Sequence, residues 1–366
     1  MAFWDSRYFA PLDGLRTLSV LMVVAFHVQC RGQALPQEVT LRRLVEGHLA
    51  VDIFFVLSGF LITTLLLREE RETGRTSLKN FYGRRFFRII PVYCFGILAY
   101  LALGLIPSQH DKFTRTIAGL PYFFTVRNEY IPEAVDATYT HTWSLAIEEK
   151  FYFIWPILFF LLLPKLRARW LAVTLPVALY LVLPAHSHFY IHYTSYISIF
   201  IGCCVAIAME AGRRRQARIE SAIKKVPTAF VVVLGLGCYY VSLRWFFTLK
   251  PVFSVFMGLL IPFLVVRKSA LAGILGSAPL AWIGKRTYAM YLLHAIFLNF
   301  VENKLIIPST NARYLAVVAI TFALVTIAGQ LTYLFIEQPM IRAGRRLLRS
   351  GEQKKTVRSL GPQNCV

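Results

Sequence analysis

Charge is scarce in this chain. Of its 366 residues only 16% are Asp, Glu, Lys or Arg, while 57% are hydrophobic. Ordinary soluble domains sit near ~25% charged and ~45–50% apolar, so a soluble globular fold is excluded. Also missing is the run of short alternating strands that a closed membrane barrel needs. Open sheet or long irregular loops within lipid would leave backbone groups unpaired, which leaves a bundle of helices. The six cysteines are scattered, mostly inside apolar runs, with no paired spacing of metal ligands. They read as packing residues. No small-residue cleavage site follows the first apolar run, so that run is expected to stay in place as a span. Solenoid-like repeats, low-complexity stretches and the strand-to-helix elbow of a serine hydrolase are absent as well.

What the chain does have is apolar blocks of about 17–25 residues, the length that crosses a bilayer as helix. Ten spans are expected, at roughly 12–30, 49–67, 89–107, 144–163, 170–185, 191–209, 227–245, 252–266, 286–303 and 313–336. The fold class expected is therefore an all-α integral membrane protein, a bundle of about ten transmembrane helices. Residues 1–340 form a single transmembrane domain and 341–366 a basic cytoplasmic tail. The formal net charge of +21 could suggest nucleic acid, but its distribution argues otherwise. With the N-terminus in the cytoplasm, 29 of the 40 Lys and Arg fall in cytoplasmic sections. The positive-inside rule then places both termini there, and the charge reports topology and attraction to anionic lipid. The segment "IAGLPYFFTV" (117–126) is apolar but too short to cross, and is expected to be re-entrant or interfacial.

Against this background the ionisable residues inside apolar runs stand out, because each costs several kcal/mol near mid-bilayer. Arg16 and His27 are 11 residues apart, close to three full turns, so both face one side of a helix about 16 Å apart along its axis. Asp52 opens the second span at His27's level, where a carboxylate could orient an imidazole. Ser58 and Gly59 at mid-span read as small residues that let helices approach. Arg84, Arg85 and Arg88 stand at the mouth of the third span. Residues 84 and 88, or 85 and 88, share a face, and arginine forks match phosphate. His141 and Trp143 precede the fourth span. Glu148 and Glu149 lie one to two turns inside it, pointing about 100° apart, so that one can face the interior while the other pairs with Lys150 or water. A carboxyl in an apolar bundle suits a proton acceptor. Tyr288, Tyr291 and His294 follow at i+3 steps along one helix face, and Glu337 ends the last span.

Together these pieces resemble the membrane acyltransferase family commonly called acyltransferase 3. The matching motifs are the arginine–ten residues–histidine of Arg16 and His27, "VDIFFVLSGFLI" (51–62), the RxxR pair Arg85 and Arg88, "HTWSLAIEEKFY" (141–152), "TYAMYLLH" (287–294) and "EQP" (337–339). They occur in family order over about residues 11–340. The resemblance implies a multi-span enzyme of the bacterial cytoplasmic (inner) membrane. Such an enzyme moves an acyl group, often acetyl, from cytoplasmic acyl-CoA to a hydroxyl of a carbohydrate or glycolipid acceptor. It implies no metal. Some members append an SGNH-type domain; this chain is expected to be a stand-alone member. Homo-oligomers and a separate partner protein stay open.

The roles that follow are expectations. Arg85 and Arg88, with Arg84, hold the coenzyme phosphates, and the thioester arm threads past Arg16. His27 is general base or transient acyl carrier. Asp52, or Glu148 or Glu149, sets its tautomer. His141, Trp143, Tyr288 and His294 bind the acceptor. The competing expectation is a proton-coupled transporter, for which intramembrane Arg, His, Asp and Glu are equally suited. Transporters often show two similar halves, and the His27 and His141 regions have no counterpart in the second half.

Overall fold

A computed structural model of the chain describes residues 8–31, 45–74, 76–106, 110–125, 140–159, 190–210, 212–304 and 311–359, and residues 6, 170 and 174 besides. Among these residues there is no strand. The helices are α1 (Ala10–Arg31), α2 (Gly47–Thr73), α3 (Leu78–Leu103), α4 (His110–Phe124), α5 (Trp143–Ile157), α6 (Tyr190–Glu210) and α7 (Arg213–Lys225). They continue with α8 (Thr228–Arg244), α9 (Phe246–Val266), α10 (Ala270–Leu275), α11 (Ala278–Gly284), α12 (Thr287–Lys304), α13 (Asn311–Thr332) and α14 (Gln338–Ser359). A 3-10 turn, Thr140–Thr142, leads into α5, and a π turn, Tyr333–Glu337, joins α13 to α14.

Among the described residues six helices are long and apolar enough to cross a membrane, or seven if α7 and α8 count as one broken span. The protein is thus a multi-pass helical bundle. A helix stands at each expected span except 170–185, which apart from residues 170 and 174 lies outside the described residues, as does 126–139. The run expected to be re-entrant falls in α4. That helix is 15 residues long, short of the ~20 needed to cross, and its Phe113 presses on Gly104 at the end of α3. Helix α7 is strongly basic and turns 91° from α8.

Caps mark the helix ends. Ser77 accepts from Asn80 N at the start of α3, as N-cap serines do for an orphan N–H. Gly74 ends α2 with φ 72°, the left-handed conformation glycine enters freely. Helix α2 crosses α6 at close range. A Cβ on Gly59 would meet Ile199 O at 1.9 Å, and one on Gly202 would meet Val56 O at 2.0 Å. Two glycines let these backbones touch, the small-residue packing of membrane helices. The crossing fixes the rotation of α2, and so which way Asp52 and Ser58 point. Gly284 makes a similar approach, since a Cβ there would meet Asp13 O at 2.1 Å, and it sets the turn before α12 against the first turn of α1.

Candidate functional site

Three imidazoles meet in the bundle. His27 on α1 and His294 on α12 have ring centroids 4.7 Å apart, His141 and His294 also 4.7 Å, and His27 and His141 6.4 Å. His294 is fully buried and His141 nearly so. His27 Nδ1 lies 2.8 Å from Val23 O, and His294 Nδ1 lies 2.5 Å from Tyr291 O. A carbonyl can only accept, so in both rings Nδ1 carries the hydrogen and Nε2 is the basic nitrogen of the neutral form.

Asp52, Glu148 or Glu149 was expected to set the tautomer; among the described residues the contact on Nδ1 is a backbone carbonyl three or four residues back, and these three carboxylates are placed elsewhere. Asp52 is turned away from the histidines. Its Oδ1 accepts from Ser198 Oγ at 3.0 Å and faces Lys250 Nζ at 3.4 Å, with both charged side chains essentially inaccessible. Lys250 also donates to Thr194 and Ser195, at 3.1 and 3.3 Å. The cause is the α2–α6 contact, which presents the Asp52 face of α2 to α6 and α9. Glu148 and Glu149 do not reach His27 through a hydrogen bond either. Glu148 accepts from both Ser58 Oγ and Tyr152 OH, whose oxygens are 3.2 Å apart. Glu149 Oε1 is buried without a hydrogen-bond partner.

Below the histidines lies a cavity of about 280 Å³. Its wall includes α2 from Val51 to Leu65, about 21 Å of helix at ~1.5 Å per residue. Arg16, Arg85, Arg88 and Lys285 line one end, Ser58, Glu148, Tyr152 and Tyr288 the middle, and Ser144 and Tyr291 the head. Tyr291 belongs to both compartments. Its hydroxyl donates to His141 O at 2.5 Å and takes the Ser144 hydroxyl at 2.7 Å. Its ring lies 5.7 Å from His141 and 5.6 Å from His294. The cavity therefore ends one side-chain layer below the imidazoles.

The basic end sorts the expected arginines. Arg16 pairs with Asp13 at 2.7 Å and Arg88 with Glu337 at 3.6 Å. Arg85 lies over the Tyr152 ring at 4.7 Å. Arg84 does not line the cavity. It is half-exposed and paired with Glu69 at 3.1 Å, because on α3 the cavity face runs through 85 and 88. The π turn ends at Glu337, and an extra residue in the turn re-aims a side chain of this kind. Arg286 holds the neighbourhood, lying over Trp282 at 3.8 Å and Tyr333 at 4.7 Å.

The far side of the histidines carries Trp143, whose ring is 5.6 Å from His48 and 6.3 Å from Phe55. Phe26 links His48 to His27, at 6.1 and 5.6 Å. Glu46 caps α2, accepting from His48 N at 3.2 Å and bonding His48 Nδ1 at 2.8 Å. Burial pushes the Glu46 carboxyl up, but these bonds from His48 outweigh it and hold the group below its usual value. Tyr288 donates to Ile89 O at 3.4 Å. Lys250, Lys285, Tyr152 and His48 were not singled out from sequence. Lys250 precedes Pro251 at the edge of an apolar run, and only the start of α9 at Phe246 reveals that it is inside the bundle. Among the described residues no group of three or more His, Cys, Asp or Glu is arranged to hold a metal ion.

Comparison with known proteins points the same way as the motifs. The sequence profile described as an acyltransferase domain matches residues 9–330. The chain is similar to O-acetyltransferase OatA of Staphylococcus aureus strain MRSA252, at 27% identity over 96% of this chain and 60% of the relative. It is equally similar to OatA of strain NCTC 8325 / PS 47, at 27% over 93% of this chain and 58% of the relative. The chain thus spans about three-fifths of the length of these relatives. No solved structure matches it. With a family profile over nearly its whole length, and that family's motifs gathered around one cavity, the chain belongs to the acyltransferase 3 family.

Proposed function

We propose that this protein is a membrane O-acyltransferase that moves an acyl group, acetyl being the simplest case, from acyl-CoA to a hydroxyl of a carbohydrate-type acceptor. The observation that carries this reading is the single cavity that runs from a cluster of arginines to the underside of three imidazoles. An acyl-pantetheine arm would lie along it, with the nucleotide left at the basic rim. The similarity to O-acetyltransferases supports the chemistry.

In this mechanism Arg85 and its neighbours neutralise the donor's phosphates, and electrostatic positioning of that kind is largely paid by binding. Glu148, with Ser58 and Tyr152, meets the middle of the arm. The thioester carbonyl reaches the head of the cavity beside Tyr291 and Ser144. The acceptor hydroxyl approaches from the Trp143 side, where an aromatic face can lie against a sugar ring. His27 Nε2 takes the hydroxyl proton as the new C–O bond forms and the C–S bond breaks. The leaving thiolate is protonated in turn, so no net proton is consumed. As an acyl carrier His27 would use the same nitrogen. The His141 and His294 rings lie beside it, at 6.4 and 4.7 Å between centroids, and can stabilise the imidazolium that forms.

The placement proposed is ten spans in a bacterial cytoplasmic membrane, both termini inside, with the arginine end facing the cytoplasm. The distribution of Lys and Arg along the chain supports that orientation. The test is transfer of label from acetyl-CoA by purified protein in detergent. His27→Ala is expected to abolish it, by roughly 10²–10⁴-fold as for loss of a general base, while size-exclusion and circular-dichroism profiles stay those of the parent. Uptake of a glycan into liposomes without acyl turnover would instead make the protein a transporter.

A further inference from the structure

The four cations that line the cavity are not equivalent. Arg16 and Arg88 are matched by Asp13 and Glu337. Arg85 and Lys285 have no ion pair with a carboxylate among the described residues. Each is laid on an aromatic ring instead, Arg85 on Tyr152 at 4.7 Å and Lys285 on Tyr8 at 4.6 Å. A cation that lies on a ring and has no carboxylate bonded to it keeps most of its charge available for an anion.

The two free cations also sit at different depths. Arg85 is at the inner side of the basic end, lying over Tyr152, whose hydroxyl bonds Glu148. Lys285 is exposed, in the turn between α11 and α12. That turn is rigid. Gly284 is pressed against Asp13 O, where a Cβ would come within 2.1 Å. Thr287 Oγ1 donates back to Gly284 O at 3.0 Å. Lys285 is thereby fixed at the rim, beside the Arg16–Asp13 pair and over Tyr8.

A ligand that satisfies both cations carries negative charge at two separated stations, one inside the mouth and one at its edge. Coenzyme A has that form. Its pyrophosphate adjoins the pantetheine arm, and its 3′-phosphate is on the ribose, farther from the thioester. Taking the donor reading above as its basis, we propose that Lys285 is the subsite for the 3′-phosphate of the coenzyme's adenosine, while Arg85 takes the pyrophosphate. The residue types fit. A phosphomonoester is met well by the compact point charge of lysine, a pyrophosphate by the planar fork of arginine.

The experiment compares two donors, acetyl-CoA and acetyl-3′-dephospho-CoA, on the full-length protein in detergent at low salt, by equilibrium binding. The parent is expected to bind acetyl-CoA about tenfold more tightly, which is about 1.4 kcal/mol. Lys285→Gln brings acetyl-CoA down to the level of the dephospho donor, and Lys285→Arg keeps most of the preference. Arg85→Ala weakens both donors alike, since both keep the pyrophosphate. Lys285 is exposed, so its variants are expected to fold, and a thermal melt checks this. No preference in the parent, or a preference that survives Lys285→Gln, overturns the assignment and leaves the donor reading standing. Failure of the parent to bind either donor overturns the donor reading, and the assignment with it.

Discussion

Replacing Lys250 with Met tests what the buried pair on α2 and α9 is for. The two charges are 3.4 Å apart and essentially inaccessible to solvent. At an effective dielectric constant of about 20, their attraction is about 5 kcal/mol. Removing one partner leaves Asp52 buried with only the Ser198 hydroxyl on Oδ1, while its Oδ2 already has no hydrogen-bond partner. Breaking a buried pair in this way costs about 3–5 kcal/mol. The double change Asp52→Leu with Lys250→Met removes both charges and is expected to recover most of that loss, because apolar groups of similar size replace a pair whose desolvation was costly. Denaturant titration and thermal melts in detergent measure both. The single variant should lower the midpoint by roughly 10 °C and the double variant by far less. A single-variant cost below about 1 kcal/mol, or a double variant no better than the single, would refute the pairing as the reason for these charges. The same proteins separate structure from catalysis. Since Val23 O, and not Asp52, orients His27, the double variant should retain acyl transfer within a few-fold of the parent. A stable but inactive double variant would return Asp52 to the chemistry.

Two further outcomes follow from the fold. Gly59→Ala places a methyl group 1.9 Å from Ile199 O, so α2 and α6 must part. The expected loss is about 1–3 kcal/mol or more, with Asp52 and Ser58 displaced together, and a melt within 1 °C of the parent would contradict the contact. Glu46→Gln is expected to destabilise in a pH-dependent way. Because the folded carboxyl is held below its usual value near 4.5, its contribution is fully present above that pH and is lost as pH falls through the lower folded value. The gap between parent and variant melting midpoints should therefore close between about pH 5 and 3; a gap that widens there would reverse the sign.

Depth along each helix was largely legible in the sequence, and rotation about each helix mostly was not. The eleven-residue step from Arg16 to His27 places both on one face, and the structure joins that face to the cavity at one end and the imidazoles at the other. Asp52 was expected at His27's level, but Phe26 meets Gly47 and Ser19 bonds Ala50 O, so Asp52 lies deeper along α1 than His27. Its direction depends on Gly59 and Gly202, which press one face of α2 on α6, and no periodicity in a uniformly apolar helix reports that. Spacing allowed either Arg84 or Arg85 to share a face with Arg88. Only the packing of α3 selects Arg85 and leaves Arg84 to Glu69. Adjacent Glu148 and Glu149 had to diverge, but which one met the cavity required the position of Ser58 on the neighbouring helix. The histidine cluster draws on α1, the 3-10 turn and α12, elements distant in sequence. Its members were each visible as polar residues in apolar runs, while their meeting is a tertiary fact.

Photo-crosslinking with an acyl-CoA that carries a diazirine on a short acyl group tests the account most directly, because it reports where the thioester end comes to rest. The account predicts adducts on the head of the cavity, in the peptides around Ser144 and Tyr291, that excess acetyl-CoA suppresses and Arg85→Ala weakens. Adducts confined to the basic helix 213–225 or to lipid-facing positions such as Phe335, and insensitive to acetyl-CoA, would contradict it.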